Sequence, residues 1–152
     1  VNRRYYSPYE TMSALFGTKE IAGGKDNPLI LAMLQTDMTW PEHDEVPWCS
    51  AAMNFVCNLW RLPRTKTLAA RDWLKVGEPI RLIEAAPGFD VVVLSRGGGA
   101  QPGPAVLDAP GHVGWYAGTE GSNVLVLGGN QGDSISIAAF PLERLLGIRR
   151  LA

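Results

Sequence analysis

Apolar residues in this chain recur at helical spacing as far as Leu74 and at strand spacing from Val91 onward. Helices gathered in the first half and short β-branched runs in the second do not alternate as βα units would, so the layout predicted is α+β, with N-terminal helices packed on a C-terminal antiparallel sheet. A length of 152 residues with 46% hydrophobic side chains supplies one core that needs neither disulfides nor a structural metal. Residues 1–152 are therefore read as a single domain.

Punctuation along the chain places the elements. Ser7-Pro8-Tyr9-Glu10 matches a capping box with proline at the first helical position, and Gly17 is a stop, which predicts a short helix over residues 8–16. Asn27-Pro28 repeats the device, and Leu29, Ile30, Met33 and Leu34 share one face of a second helix ending near Thr36. A third helix starts at Cys49 and ends before Pro63. Ala52, Phe55, Val56 and Leu59 form its buried face, which Met53, Cys57 and Trp60 widen to that of a central helix. Residues 67–75, with Ala69, Ala70, Trp73 and Leu74, predict a fourth helix closed by Gly77. Strands are expected over 91–94, 112–117, 123–127 and near 134–138, with a turn at Gly118-Thr119-Glu120-Gly121. The stretch from Gly97 to Pro104 lacks the lysine and hydroxyl residue of a phosphate-binding loop and precedes no helix, so it reads as a flexible rim.

Several function classes are disfavoured at this level. A formal net charge of -1 offers no general attraction to phosphate, which argues against nucleic acid and anionic membrane as partners. No apolar run reaches the roughly 18 residues of a membrane span, and Val1-Asn2-Arg3-Arg4-Tyr5 lacks the apolar stretch of a signal peptide, leaving any export route open. Cys49 and Cys57 on one helix stand about 12 Å apart, too far for a disulfide. Two cysteines and two histidines so dispersed match no zinc pattern, so no metal and no cofactor is expected.

Cys49 carries the chemistry that the spacing suggests. A thiol in the first turn of a helix sits at the positive end of the backbone dipole, which favours thiolate. A nucleophile of this kind needs a base and a group to orient the base. Of the two histidines, His43 lies in the charged loop Glu42-His43-Asp44-Glu45 and reads as a solvated surface residue, whereas His112 opens an apolar strand, where an imidazole needs a polar partner. A hairpin pivoting near Glu120 sets position 112 across from about residue 129, which puts Asn130 beside His112. Cys49, His112 and Asn130 are thus the catalytic candidates, each of which alone has a blander reading as core filler, core histidine or turn residue.

The segments Gly17-Thr18-Lys19-Glu20-Ile21, Asn27-Pro28-Leu29-Ile30, Pro47-Trp48-Cys49-Ser50-Ala51, Gly111-His112-Val113-Gly114 and Gly128-Gly129-Asn130-Gln131, in this order, resemble the NlpC and CHAP class of papain-like peptidoglycan hydrolases, and within it a subgroup of phage and bacterial proteins. The resemblance runs from about residue 9 to Arg150. It implies a papain-like fold with Cys49 as nucleophile at the start of the central helix, His112 as base and Asn130 as orienting residue. Many relatives carry a second histidine in the third position, which leaves Gln131 and Asp133 as alternatives to Asn130. In such a site the thiolate attacks an amide carbonyl, the imidazolium protonates the leaving amine, and water releases the thioester. The oxyanion would be held by backbone N–H groups at the helix start.

Trp48 as a wall of the groove, and Asp44 and Glu45 as partners of a stem-peptide ammonium group, are the expected substrate contacts, set against buried packing for Trp48 and a solvated acidic loop for the other two. The partner implied is bacterial peptidoglycan, met by a monomer acting at the cell wall as a phage lytic protein or secreted hydrolase. The bond expected to be cut lies within the stem peptide; an amidase cutting between muramic acid and alanine would use the same trio. Competing classes are a two-carboxylate glycosidase drawing on Asp37, Glu42, Asp44 and Glu45, and a wall-binding or virion module without turnover.

Overall fold

A computed structural model describes residues 6–44 and 46–152. Three α-helices lead: α1 (Pro8–Ala14), α2 (Pro28–Leu34) and α3 (Cys49–Trp60). Their starts follow from the caps. The Glu10 carboxylate accepts the Ser7 N–H at 2.8 Å, and Asn27 Oδ1 accepts the Leu29 N–H at 2.9 Å, each meeting a donor that the first helical turn would leave unpaired. α3 ends on Arg61 in the left-handed region (φ 54°), ahead of Pro63.

The fourth predicted helix is instead a 3-10 segment, Ala70–Lys75. Its bonds run i to i−3, from Asp72 N–H to the Ala69 carbonyl and from Val76 N–H to the Trp73 carbonyl, both at 3.2 Å. Ala70, Arg71 and Trp73 are all buried there, and so short a segment embedded on several sides has no single apolar stripe for a regular α-helix to present.

Six strands follow: β1 (Glu78–Ile80), β2 (Asp90–Ser95), β3 (Gly111–Glu120), β4 (Asn123–Gln131), β5 (Ser134–Pro141) and β6 (Leu145–Arg150). They form one antiparallel sheet in the order β1-β6-β2-β3-β4-β5. The predicted α+β layout thus holds, with two strands more than the sequence pattern suggested. β1 is three residues around Pro79, and β6 reads Leu-Leu-Gly-Ile-Arg-Arg, which does not alternate. β6 nonetheless inserts between β1 and β2, and its Arg150 closes the sheet end by a paired contact with buried Asp90 at 2.8 Å.

Apolar clusters cover both faces of the sheet. Val91 and Val93 of β2, Val113 and Trp115 of β3 and Leu127 of β4 pack on the helix side against Ala52, Met53, Val56 and Cys57 of α3. Val92, Leu94, Tyr116, Val124 and Val126 point to the other side, where Phe140, Leu142 and Leu82 cover them. β2 is consequently buried at every residue, the reason its sequence is a continuous apolar run. Gly129 lets α3 approach: a Cβ there would lie 2.5 Å from Trp48 Cζ3 and 3.0 Å from Ala52 Cβ. No helix among the described residues is long and apolar enough to cross a membrane.

Candidate functional site

Cys49 is the first residue of α3, as the sequence suggested, and is 3% exposed. Burial dominates its electrostatics and raises the thiol above its ordinary value. The amides of Val113, Ser50 and Cys49 itself, together with the Arg96 guanidinium, pull the other way without winning. The N–H donors expected at the helix start are present, but desolvation outweighs them. In the free protein Cys49 is held as a thiol. Cys57, two turns further along α3, is also buried, and burial pushes it up to about 12.

His112 lies on β3 opposite Leu94 of β2. Its neighbours Val113 and Trp115 point toward α3, so the pleat directs His112 to the far face with Leu94 and Tyr116, where its ring lies 5.1 Å from that of Phe140. It is 5% exposed, and burial lowers its pKa to about 4, helped by the charges of Arg96 and Arg144 and opposed by a hydrogen bond to Gln131. The imidazole is therefore neutral at neutral pH.

The partner of His112 is Gln131, whose Oε1 lies 2.8 Å from His112 Nε2. Gln131 Nε2 donates to the carbonyls of Val126 (3.1 Å) and Ser136 (2.7 Å), which fixes the amide's orientation and leaves Oε1 only as an acceptor. His112 Nε2 must then carry the proton, and Nδ1 is the nitrogen with a lone pair. This corrects the expectation that Asn130 orients the ring. Between Gly128 and Gln131 the β4–β5 register shifts at a bulge, where Asn130 takes φ 57°. The inserted residue reverses the alternation, so Gln131 shares the face of Gly128, where a Cβ on Gly128 would stand 2.9 Å from Gln131 Oε1. Asn130 lines the adjoining cavity instead.

That cavity, about 500 Å³, is bordered by His112, Asn130 and Gln131 together with Arg96, Phe140 and Arg144. Neither arginine stood out in the sequence. Arg96 follows β2 directly and Arg144 sits in a 3-10 turn before β6; strand pairing brings them together, a long-range fact with no local signal.

The structure thus joins His112 to Gln131 and sets Cys49 against the amide of Val113, the residue next to His112. Among the described residues no hydrogen bond links Cys49 to His112. Trp48 is 0% exposed, with its indole N–H donating to Glu20 at 2.8 Å, so it offers no groove wall. Asp44 is 1% exposed and accepts the N–H groups of Ile21 (3.0 Å) and Asn27 (2.8 Å), which ties the loop before α2 to the loop before α3 and removes Asp44 from contact with a ligand. Glu45 lies outside the described residues. His43 is exposed, with Asp26 at 3.4 Å. Among the described residues no three His, Cys, Asp or Glu side chains are grouped to hold a metal ion.

No protein-family model and no curated protein matches the chain in sequence. Among solved structures, that of NlpC1 from Trichomonas vaginalis is similar over 95% of this chain, with a TM-score of 0.57 at 19% identity. The match spans 42% of that protein's length. The helices followed by a six-stranded antiparallel sheet are an NlpC-like fold.

Proposed function

We propose that the protein is a cysteine hydrolase of the NlpC type that cleaves an amide bond within the stem peptide of bacterial peptidoglycan, with Cys49 as nucleophile, His112 as base through Nδ1 and Gln131 as orienting residue. The observation that carries this reading is the tautomer that Gln131 imposes. It presents a lone pair on one ring nitrogen of a neutral, buried imidazole, one residue along β3 from the amide against which the Cys49 thiol rests. A neutral imidazole with a lone pair is the resting form that can take the proton of a thiol, producing thiolate and imidazolium together. Catalytic hydrogen bonds often close only when substrate arrives, and the pairing of Cys49 with His112 is one that a bound substrate would have to complete. The N–H groups of Cys49 and Val113, which act on the Cys49 sulfur in the free protein, would receive the oxyanion. Action at the cell wall, as a phage lytic protein or a secreted hydrolase, belongs to the same proposal. The amidase reading uses the same residues on a different bond.

A second reading, a wall-binding module that keeps the scaffold without turnover, draws on the burial of Cys49 and its missing bond to His112. Digestion of purified peptidoglycan with the protein and with Cys49→Ala, followed by mass spectrometry, separates them. The hydrolase reading expects shortened stems with the unaltered chain only. A freed alanine amine beside intact glycan would move the bond to the amidase position, equal fragments from both proteins would sink the cysteine mechanism, and no fragments from walls of several chemotypes would leave the binding module.

A further inference from the structure

We propose that the cavity beside His112 is a carboxylate-binding subsite, in which Arg96 and Arg144 receive an anionic group that the substrate carries next to the bond to be cut. The inference rests on the hydrolase reading of this site and adds the class of substrate that it takes.

Two guanidinium groups border one cavity of about 500 Å³, and no aspartate or glutamate borders it with them. The ion pairs of the described residues involve His43, Arg64, Arg81 and Arg150, so neither Arg96 nor Arg144 has a carboxylate partner among those residues. Arg144 is held rather than loose. Its Nε and Nη2 donate to the Ser95 carbonyl at 2.9 and 2.8 Å, and its Cζ lies 5.2 Å from the centre of the Phe140 ring. Those contacts occupy one edge of the planar fork and one of its faces. Nη1 is left without a protein acceptor among the described residues, and a carboxylate is the ligand to which such a fork is matched. Phe140 and Ala138 supply an apolar wall for the carbon chain that bears it.

The same two charges link the subsite to the chemistry. After burial, they are what holds His112 neutral, and Arg96 also acts on Cys49 in favour of thiolate. A bound carboxylate offsets both cations and lets the imidazole accept a proton more readily than in the free protein. A carboxylate-bearing substrate therefore helps to charge the base that cleaves it, whereas a neutral twin leaves His112 as it is.

The test uses the full chain carrying Cys49→Ala, so that binding is read without turnover, and follows the ring signals of His112 by NMR with exposed His43 as internal reference. The probes are a stem peptide with a free glutamyl carboxylate, the same peptide with that carboxylate amidated, and inorganic phosphate. The expected result is saturable movement of the His112 signals by the free acid. Affinity should be roughly tenfold or more weaker for the amidated twin and, with the free acid, for the Arg96→Gln variant, which removes an exposed side chain and no hydrogen bond among the described residues. Arg144→Lys, which keeps the charge and loses the fork, should weaken the free acid as well. Equal affinity for the two peptides, indifference to Arg96→Gln, no binding of either peptide, or phosphate acting as well as the free acid would overturn the proposal. Peptide binding with this selectivity but no digestion of peptidoglycan would leave the subsite standing and remove the hydrolase reading.

Discussion

Replacing His112 by Phe should remove a specific part of the protein's sensitivity to acid. Unfolded, the imidazole titrates near 6.5; in the folded protein burial lowers this to about 4. Because the folded value is the depressed one, both states are neutral above 6.5 and the stability is fully present there. As pH falls below 6.5 the unfolded chain takes up a proton that the folded chain refuses, and stability is lost until about pH 4, where both are protonated. The gap between the two values, at about 1.4 kcal/mol per pH unit, amounts to about 3 kcal/mol, of which about 2 kcal/mol is already lost at pH 5. Urea denaturation of the unaltered chain and of His112→Phe at pH 7 and pH 5 measures it. Stranding Gln131 Oε1 lowers the variant's stability at both pH values, and the carboxylates titrate alike in both proteins, so only the difference in loss between them reports His112. The unaltered chain should lose about 2 kcal/mol more than the variant. Equal losses, or a His112 ring that titrates near 6.5 in the folded protein, would refute the burial argument and with it the neutral resting base.

Two further substitutions test how the site is held. Arg71 is fully buried and donates to the carbonyls of Pro102, Gly103, Val106 and Pro110 at 2.9 to 3.0 Å, so Arg71→Met should destabilise the fold by about 3 kcal/mol or more and open residues 97–110 to limited proteolysis; a variant as resistant as the parent would show the loop to be held otherwise. Gly129→Ala drives a methyl group into Trp48, itself tied to Glu20, and should cost about 1 to 3 kcal/mol in chemical denaturation; a change below about 0.5 kcal/mol would mean that the start of α3 can yield.

What could be read in the sequence was what local chemistry decides. Caps at Ser7 and Asn27, the apolar run at 91–94 and Cys49 at the head of the central helix depend on neighbours within a few residues, and all stand where the pattern put them. What escaped depends on partners far along the chain. β1 and β6 are strands because they pair with each other, and β6 with β2 as well, not because Glu78-Pro79-Ile80 favours extended backbone. The third member of the site illustrates the limit. Hairpin geometry put Asn130 beside His112, but a single bulged residue sets Gln131 against the ring instead, and nothing in Gly128-Gly129-Asn130-Gln131 announces a bulge rather than a turn. Burial was equally hidden. Trp48 and Asp44 were expected as ligand contacts set against buried packing and a solvated loop, and both are buried and tied to neighbouring loops instead, while Cys49 is held protonated by its own burial.

The edges of the sheet carry a different kind of information. On one side it stops at β1, three residues long with Pro79 in the middle, and a residue without an N–H gives an approaching strand one donor fewer to grip. On the other, β5 is bridged at Ser134 by Lys19, which lays a stretch of loop across the start of the open edge. A short edge interrupted by proline and a long one partly covered are obstacles to strand-by-strand growth between molecules. Crowded copies of this chain should therefore resist joining sheet to sheet, even with an apolar residue such as Ile137 standing exposed on β5.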